Sequence, residues 1–206
     1  MMLHKTAVLT LNGNCPEISL LLSLREKSSF HLCTDGAYDR LKKIGIIPDA
    51  IIGDMDSLKG KVTDIRSIEN PDQMTSDFEK ALIWLIEEKY TKIYLTGLSG
   101  GRLDHQMVNL TLFTKYSEKL ELLIYDDNQA AQILNPGTFS FNGKPGQIIS
   151  LLSVIKSEGV TLTGTEYLLN GETLSPGSRG LSNRFVKSTV HLSFSSGKII
   201  VITQLK

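Results

Sequence analysis

The strongest constraint on the fold of this chain is a change of periodicity close to residue 126. Up to that point short apolar runs alternate with stretches whose apolar residues recur at helical spacing. Beyond it only short β-type runs between turn residues remain. Ala7 to Leu11 reads as a strand closed by Asn12, Gly13 and Asn14, and Pro16 opens a helical stretch through Arg25. Phe30 to Thr34 is a second strand, followed by a helix with Ala37, Leu41 and Ile44 on one face and Gly45 and Pro48 at its end. Ala50 to Ile52 is strand again. Ser76 and Glu79 stand at capping-box spacing ahead of Phe78, Leu82, Leu85 and Ile86, which predicts a helix starting at Asp77. A strand at Ile93 to Thr96, a helix from about Asp104 to Tyr116 and a strand from Leu120 to Tyr125 complete an alternation that calls for a parallel sheet covered by helices.

After Asp126 the β-type runs are Thr138 to Phe141, Gln147 to Val154, Val160 to Thr163, Val190 to Phe194 and Lys198 to Thr203. Ser195, Ser196 and Gly197 read as the turn of a terminal hairpin. The expected fold class is α/β, with an N-terminal parallel-sheet, Rossmann-like domain over residues 1–128 and a small antiparallel all-β sandwich over residues 129–206.

Charge narrows the choice of partner. The 22 basic and 22 acidic side chains cancel and no basic stripe is present, which argues against a nucleic-acid or anionic-membrane footprint and for a small molecule. A hydrophobic content of 41% is enough to bury a core. Cys15 and Cys33 have no metal-ligand spacing, and Cys33 lies in a strand-like run where a buried thiol acts as a small hydrophobe. The apolar run in Met1 to Leu11 is too short for a signal peptide, and no stretch approaches the roughly 18 apolar residues of a membrane helix. The cytoplasm is the expected location.

In an open α/β sheet, ligands sit beyond the carboxyl ends of the strands, and three polar islands fall there. The first is Gly53, Asp54, Met55, Asp56, Ser57, where two carboxylates two residues apart can point the same way from extended backbone. Such a pair suits Mg²⁺, which takes a few carboxylate oxygens and completes its shell with water and substrate phosphates. An acidic turn capping a strand accounts for the pair equally well. The second island, Thr75 to Lys80, places Asp77 in the first turn of a helix, where the dipole alone explains a carboxylate. The third, GLSGGRLDHQMVN from Gly97 to Asn109, follows a strand. Gly100 and Gly101 let backbone amides approach a phosphate at a helix start, and Arg102 offers a planar fork of donors. Asp104 and His105 open the helix, and singly they read as a cap and a surface imidazole. Together with Arg102 behind paired glycines they read as a site. No GxxxxGK[ST] loop occurs and no GxGxxG follows the first strand, so phosphate must be held by metal, arginine and tight turns.

Asp35-Gly36-Ala37 with Leu41, Gly53 to Ser57, Thr75 to Leu82, and Gly100-Gly101-Arg102 through Asn109 together resemble, in order and spacing, the catalytic domain of thiamine pyrophosphokinases. The tail is similar to that family's thiamine-binding domain through Gly164-Thr165-Glu166-Tyr167 and Gly180-Leu181-Ser182-Asn183. The resemblance implies a homodimer with ATP and Mg²⁺ on the catalytic domain and thiamine where one subunit's β domain meets the other's catalytic domain. Asp54, Asp56 and Asp77 would form the metal cluster, with Arg102 and Asp104 near the transferring phosphates and the acceptor. Asp35, Gly36, Gly100, Gly101, His105 and Asn109 would line the nucleotide pocket, and Tyr167, Ser182 and Asn183 the thiamine side. Tyr167 departs from the tryptophan that family members often carry there, although a tyrosine can still stack on a cationic thiazolium. Its alternative role is that of a half-buried strand residue.

Rival readings remain open at this level. A pyrophosphokinase of the same fold acting on a hydroxymethylpterin would differ only in its acceptor. A non-catalytic thiamine or nucleotide sensor would have no need of three carboxylates, and a glycosyltransferase using Asp54-x-Asp56 leaves the Gly-Gly-Arg-x-Asp-His island without a role.

Overall fold

The computed structural model describes residues 5–58 and 65–205. The chain divides after Asp127 into two compact units. In the first, strands and helices alternate: β1 (Thr6–Thr10), α1 (Ile18–Glu26), β2 (Phe30–Thr34), α2 (Asp35–Lys43), β3 (Ala50–Gly53), β4 (Arg66–Glu69), α3 (Asp77–Glu87), β5 (Lys92–Thr96), α4 (Leu103–Tyr116) and β6 (Glu121–Tyr125). The strands lie in the order β4-β3-β2-β1-β5-β6, and each neighbouring pair is parallel.

Strands buried on both faces read as continuous apolar runs, and the last four residues of β1 and β2 and all of β3 are buried. Alternation divides them between the two faces. Val8, Cys33, Ile51 and Tyr94 share one core with Leu21 and Leu24 of α1 and with Ala37, Tyr38 and Leu41 of α2. Leu9, Leu32 and Ile52 therefore point to the opposite face. α3 lies against β2 and β3 and buries Ala81 together with Phe78, Leu82 and Leu85, the last three worth about 1.5–3 kcal/mol each when removed from water.

One strand of this unit has no counterpart in the periodicity. β4, with sequence RSIE, is mostly exposed and offers only Ile68 to the apolar pattern, because it is the edge of the sheet and has one neighbour. The order reverses between β1 and β5: β1 to β4 step one way, β5 and β6 the other. At that reversal the loops following β1 and β5 are tied together, with Leu11 N donating to Thr96 O (2.9 Å), Gly13 N to Gly97 O (2.8 Å) and Asn14 N to Ser99 O (2.7 Å). A crevice beyond the strand ends at such a reversal is where open α/β sheets bind ligands.

The second unit is antiparallel: β7 (Gln129–Leu134), β8 (Gly137–Asn142), β9 (Ile148–Thr163), β10 (Leu169–Leu174), β11 (Asn183–Arg184), β12 (Thr189–Phe194) and β13 (Ser196–Gln204). Two runs expected as separate strands are the ends of β9, a single strand of 16 residues that passes through the polar Lys156-Ser157-Glu158-Gly159 stretch. The first part of β9 pairs with β11 and β13 and the last part with β10 and β12. Ile149, Leu151, Ile199 and Val201 from one group join Val160, Leu162, Val190 and Leu192 from the other in one core.

The expected terminal hairpin is corrected by this arrangement. Among the described residues β12 pairs with β8 and β9, and β13 pairs with β7 and β9, but β12 and β13 do not pair with each other. Ser195 N donates instead to Glu158 O (2.9 Å), so residues 195–197 form a corner clamped onto the middle of β9. Gly197 is required there: its φ is +97° and a Cβ would stand 2.5 Å from Ser157 Cα. No helix among the described residues is long and apolar enough to cross a membrane.

Candidate active site

A cavity of about 500 Å³ opens in the first unit where the ends of β1, β2, β3 and β5 meet the starts of α3 and α4. Its acidic wall begins at the end of β2. Thr34 caps α2 without using its hydroxyl for the cap, and Asp35 becomes the first helical residue with its Oδ1 accepting from Gly36 N at 2.5 Å. Asp35 Oδ2 and Thr34 Oγ1 are buried without a hydrogen-bond partner, and both residues line the cavity. Gly53 makes the approach of β3 possible, since a Cβ there would lie 2.7 Å from Asp35 Cγ.

The strand ends at Gly53, and Asp54 and Asp56 are brought to one side by a turn. Met55 adopts a left-handed φ of 66°, and Asp54 Oδ1 accepts from Asp56 N at 3.3 Å. Extended backbone is therefore not what aligns the two carboxylates. Asp54 Oδ2 accepts from Gln73 Nε2 at 3.0 Å. Ligand atoms of Asp35, Asp54 and Asp56 lie within 4.8 Å of one another, the spacing a single cation can bridge. Burial raises the Asp35 carboxyl to about 6, with repulsion from Asp77, Asp54 and Asp56 adding to it and the Gly36 N–H opposing. A buried carboxylate oxygen with no donor, facing two further carboxylates, fits a magnesium ion: the ion would supply the missing partner and cancel the repulsion.

Asp77 takes a different position. Ser76 caps α3 by accepting from Glu79 N (3.3 Å), as the capping-box spacing predicts, but the Glu79 carboxylate turns away to Lys115 (2.7 Å) and Tyr116 (2.9 Å). Asp77 lines the cavity and is bound by Lys80 at 3.0 Å, and the trio within bridging distance contains Asp35 in its place.

The wall opposite is the β5–α4 loop. Gly97, Gly100 and Gly101 all have positive φ, and Gly100 leaves no room for a Cβ, which would sit 2.3 Å from Asn14 Oδ1. Gly100, Gly101, Arg102, His105 and Asn109 line the cavity. Asp56, Asp104 and Gly36 do not line it. Arg102 donates two hydrogen bonds to Asp104, at 3.1 and 2.6 Å, with both side chains exposed to solvent. That pairing and the His105 N–H lower the Asp104 carboxyl from its ordinary range. Asn109 Nδ2 donates to Leu98 O at 3.4 Å, holding the loop over the first turns of α4.

In the second unit, Tyr167 is 66% exposed and lies outside any strand, so it is not a half-buried strand residue. Asn183, almost fully buried, accepts from Tyr167 N (3.0 Å) and donates to Tyr167 O (2.7 Å), so its amide is committed to holding the tyrosine loop. Ser182 has φ 55° and is fixed by Ser150 Oγ, which accepts from its N–H at 2.9 Å. Leu168, Leu181 and Val186 are also at least half exposed.

Of the polar side chains lining the cavity, Asn12, Thr34 and Gln73 lie outside the islands read from the sequence, and Lys80 lies inside the second island with no role assigned to it. Lys80 had no signal, since it falls on the side of α3 opposite the Phe78, Leu82 and Leu85 arc, next to Glu87 in helical projection, where a lysine is ordinary. Gln73 follows the exposed β4 and had none.

Residues 21–124 match the family model described as thiamin pyrophosphokinase, catalytic domain, and residues 138–199 the one described as thiamin pyrophosphokinase, vitamin B1 binding domain. The chain belongs to the thiamine pyrophosphokinase family. Thiamine pyrophosphokinase of Bacillus subtilis (strain 168) is 28% identical over 169 residues, covering 77% of this chain and 79% of that protein. Thiamine pyrophosphokinase 1 of Oryza sativa subsp. japonica is 27% identical over 234 residues, covering 96% and 86%. The solved thiamin pyrophosphokinase of Geobacillus thermodenitrificans superposes with a TM-score of 0.81 at 26% identity, over 98% of each chain. The catalytic-domain match of the thiamine pyrophosphokinase family contains the three clustered carboxylates and the β5–α4 loop, and the B1-binding match contains Tyr167, Ser182 and Asn183.

Proposed function

We propose that the chain transfers the pyrophosphoryl group of ATP to the hydroxyl of thiamine, giving thiamine diphosphate and AMP. The observation that carries the reading is the cluster of Asp35, Asp54 and Asp56, the first two of which line a cavity of nucleotide size, in a chain of this family. Held by these three carboxylates, Mg²⁺ would offset the repulsion between the acidic wall and the polyphosphate and neutralise charge on the transferring group. Gln73 and the Asp56 N–H occupy the two oxygens of Asp54 and orient it. The unpartnered Thr34 hydroxyl faces the same space and can donate to a ligand oxygen. Gly100 and Gly101 admit a phosphate close to the start of α4. Arg102 stabilises charge on the transferred group, which requires its fork to leave Asp104, and the freed Asp104 carboxylate orients the acceptor hydroxyl or takes its proton. A weak base suffices where bond making lags bond breaking.

The acceptor side is built from the second unit, with Tyr167 stacking on thiamine and Ser182 and Asn183 holding its loop. Tyr167, Leu168, Leu181 and Val186 are exposed apolar side chains of this unit, which suits a site completed by a second copy of the chain. We place the thiamine site at the interface of a homodimer and the enzyme in the cytoplasm, where free thiols such as Cys15 and Cys33 persist.

Incubation with ATP, Mg²⁺ and thiamine tests the reading. AMP and thiamine diphosphate should appear in equal amounts and only when all three are present. ADP or inorganic phosphate in place of AMP, or a hydroxymethylpterin outcompeting thiamine as acceptor, would overturn it.

A further inference from the structure

The cavity is acidic before any substrate enters. Among the described residues its lining sets Asp35, Asp54 and Asp77, with Asp56 beside them, against two cations, Lys80 and Arg102. Arg102 is 74% exposed and committed to Asp104, so it belongs to the solvent-facing rim. Lys80 is the opposite case. Its side chain is 3% exposed, it projects from the first turns of α3 into the cavity lining, and its one hydrogen-bond partner is Asp77 Oδ1 at 3.0 Å.

Taking an ammonium group out of water costs several kcal/mol unless its donors are used. Lys80 has three N–H donors and Asp77 engages one of them. Two cavity-lining groups, Asp35 Oδ2 and Thr34 Oγ1, are likewise buried and without partners. A buried lysine that served only to neutralise Asp77 would be an expensive way of removing one charge, and a helix whose apolar arc runs through Phe78, Ala81, Leu82 and Leu85 has no packing need for it. The Asp54 carboxyl is held below its ordinary range by Gln73 first, and the nearby Lys80 charge adds to that in the same direction.

We propose that Lys80 is a polyphosphate-binding residue: its ammonium group, steadied by Asp77, directs its remaining N–H donors at the β- and γ-phosphate oxygens of the bound nucleotide. The proposal rests on the reading of the cavity as an ATP site. A compact ammonium with rotatable donors suits oxygens that change position as the pyrophosphoryl group moves, whereas Arg102 at the rim offers a rigid fork. Lys80 then discriminates nucleotides by phosphate number. It binds ATP and ADP and is indifferent to AMP, which favours departure of AMP once the pyrophosphoryl group has moved to the acceptor.

Affinities for Mg²⁺ with ATP, ADP and AMP, measured by calorimetry without thiamine, test this on the wild type, Lys80→Met and Lys80→Arg. A charge-assisted hydrogen bond predicts that Lys80→Met weakens ATP and ADP by about tenfold or more and AMP by less than about twofold, with Lys80→Arg recovering most of the loss. In the wild-type chain labelled with ¹⁵N-lysine, the Lys80 ammonium resonance, identified by its loss in Lys80→Arg, should shift with inorganic triphosphate and stay in place with adenosine. The resonance test holds even where Lys80→Met does not fold. Equal weakening of ATP and AMP, no weakening of either, or a resonance insensitive to triphosphate overturns the proposal. Wild-type ATP binding without thiamine-dependent AMP release would overturn the proposed activity and leave the role of Lys80 standing.

Discussion

Asp35→Asn separates what the acidic cluster costs the fold from what it contributes to the reaction. The Asp35 carboxyl rises from its ordinary 3.8 to about 6, through burial first and then through Asp77, Asp54 and Asp56. The folded chain therefore binds more protons than the unfolded one between about pH 4 and pH 6, and metal-free stability falls as pH rises through that window. A rise of this size corresponds to about 3 kcal/mol, fully lost above pH 7. Asparagine keeps the shape of the side chain and an acceptor for the Gly36 N–H while removing the charge. In chelator at pH 8, Asp35→Asn should thus be more stable than the wild type by up to about 3 kcal/mol, with the gain vanishing near pH 4. Urea denaturation followed by Trp84 fluorescence reads the first unit alone, because Trp84 is the single tryptophan. Saturating Mg²⁺ should reverse the order, stabilising the wild type and not the variant, and pyrophosphoryl transfer should fall by at least about a hundredfold. A variant no more stable than the wild type at pH 8 in chelator, or one with the same slope between pH 4 and pH 6, would refute the reasoning.

Asp54→Asn and Asp56→Asn each delete a charge from a solvent-accessible turn, so both should fold normally and lose most activity; less than about a tenfold loss in turnover at saturating Mg²⁺ removes them from the metal set. Tyr167→Ala should raise the thiamine KM far more than the ATP KM, and refolding Tyr167→Ala chains with Asp54→Asn chains should recover roughly a quarter of the wild-type sites if the site is shared between subunits. Mixed dimers that show no recovery place the whole site within one chain. His31, buried on β2 with Nε2 on Thr10 Oγ1 (2.9 Å), is pushed down from 6.5 to about 3, by burial first and then by Arg25. A depressed histidine contributes stability that is present above pH 6.5 and lost as pH falls towards 3, up to about 5 kcal/mol, so His31→Asn should flatten the acid limb of the stability profile. An unchanged acid limb would show that His31 is not what titrates there.

The alternation of strands and helices was legible because the interior strands of the first unit are buried on both faces and its helices carry apolar arcs, so their periodicities are plain in the sequence. β4 was not, for the same reason inverted: an edge strand with one neighbour needs little apolar surface. The long β9 was read as two strands because its polar middle looks like a turn. In the fold that stretch is where β9 passes from one group of strands to the other, and the Ser195–Gly197 corner grips it there. The expected hairpin failed on the same point, since local turn chemistry cannot tell a strand that returns to its neighbour from one that moves on to another.

The candidate site shows the same division between local and non-local information. Asp54 and Asp56 were recognisable as a pair, but their alignment comes from the left-handed Met55, a conformation that methionine does not announce. Asp35 was a pocket-lining residue only through the resemblance to the family, and the adjacency of β2 and β3 makes it the third carboxylate. That adjacency depends on sheet order, and the close approach depends on Gly53 having no side chain. Asp77 stood with Asp54 and Asp56 only through the resemblance, and in the fold a lysine three residues on, one helical turn away, binds it. Residues contributed by one loop could thus be named from sequence, while the partner each would choose was decided by strands that meet only in the folded sheet.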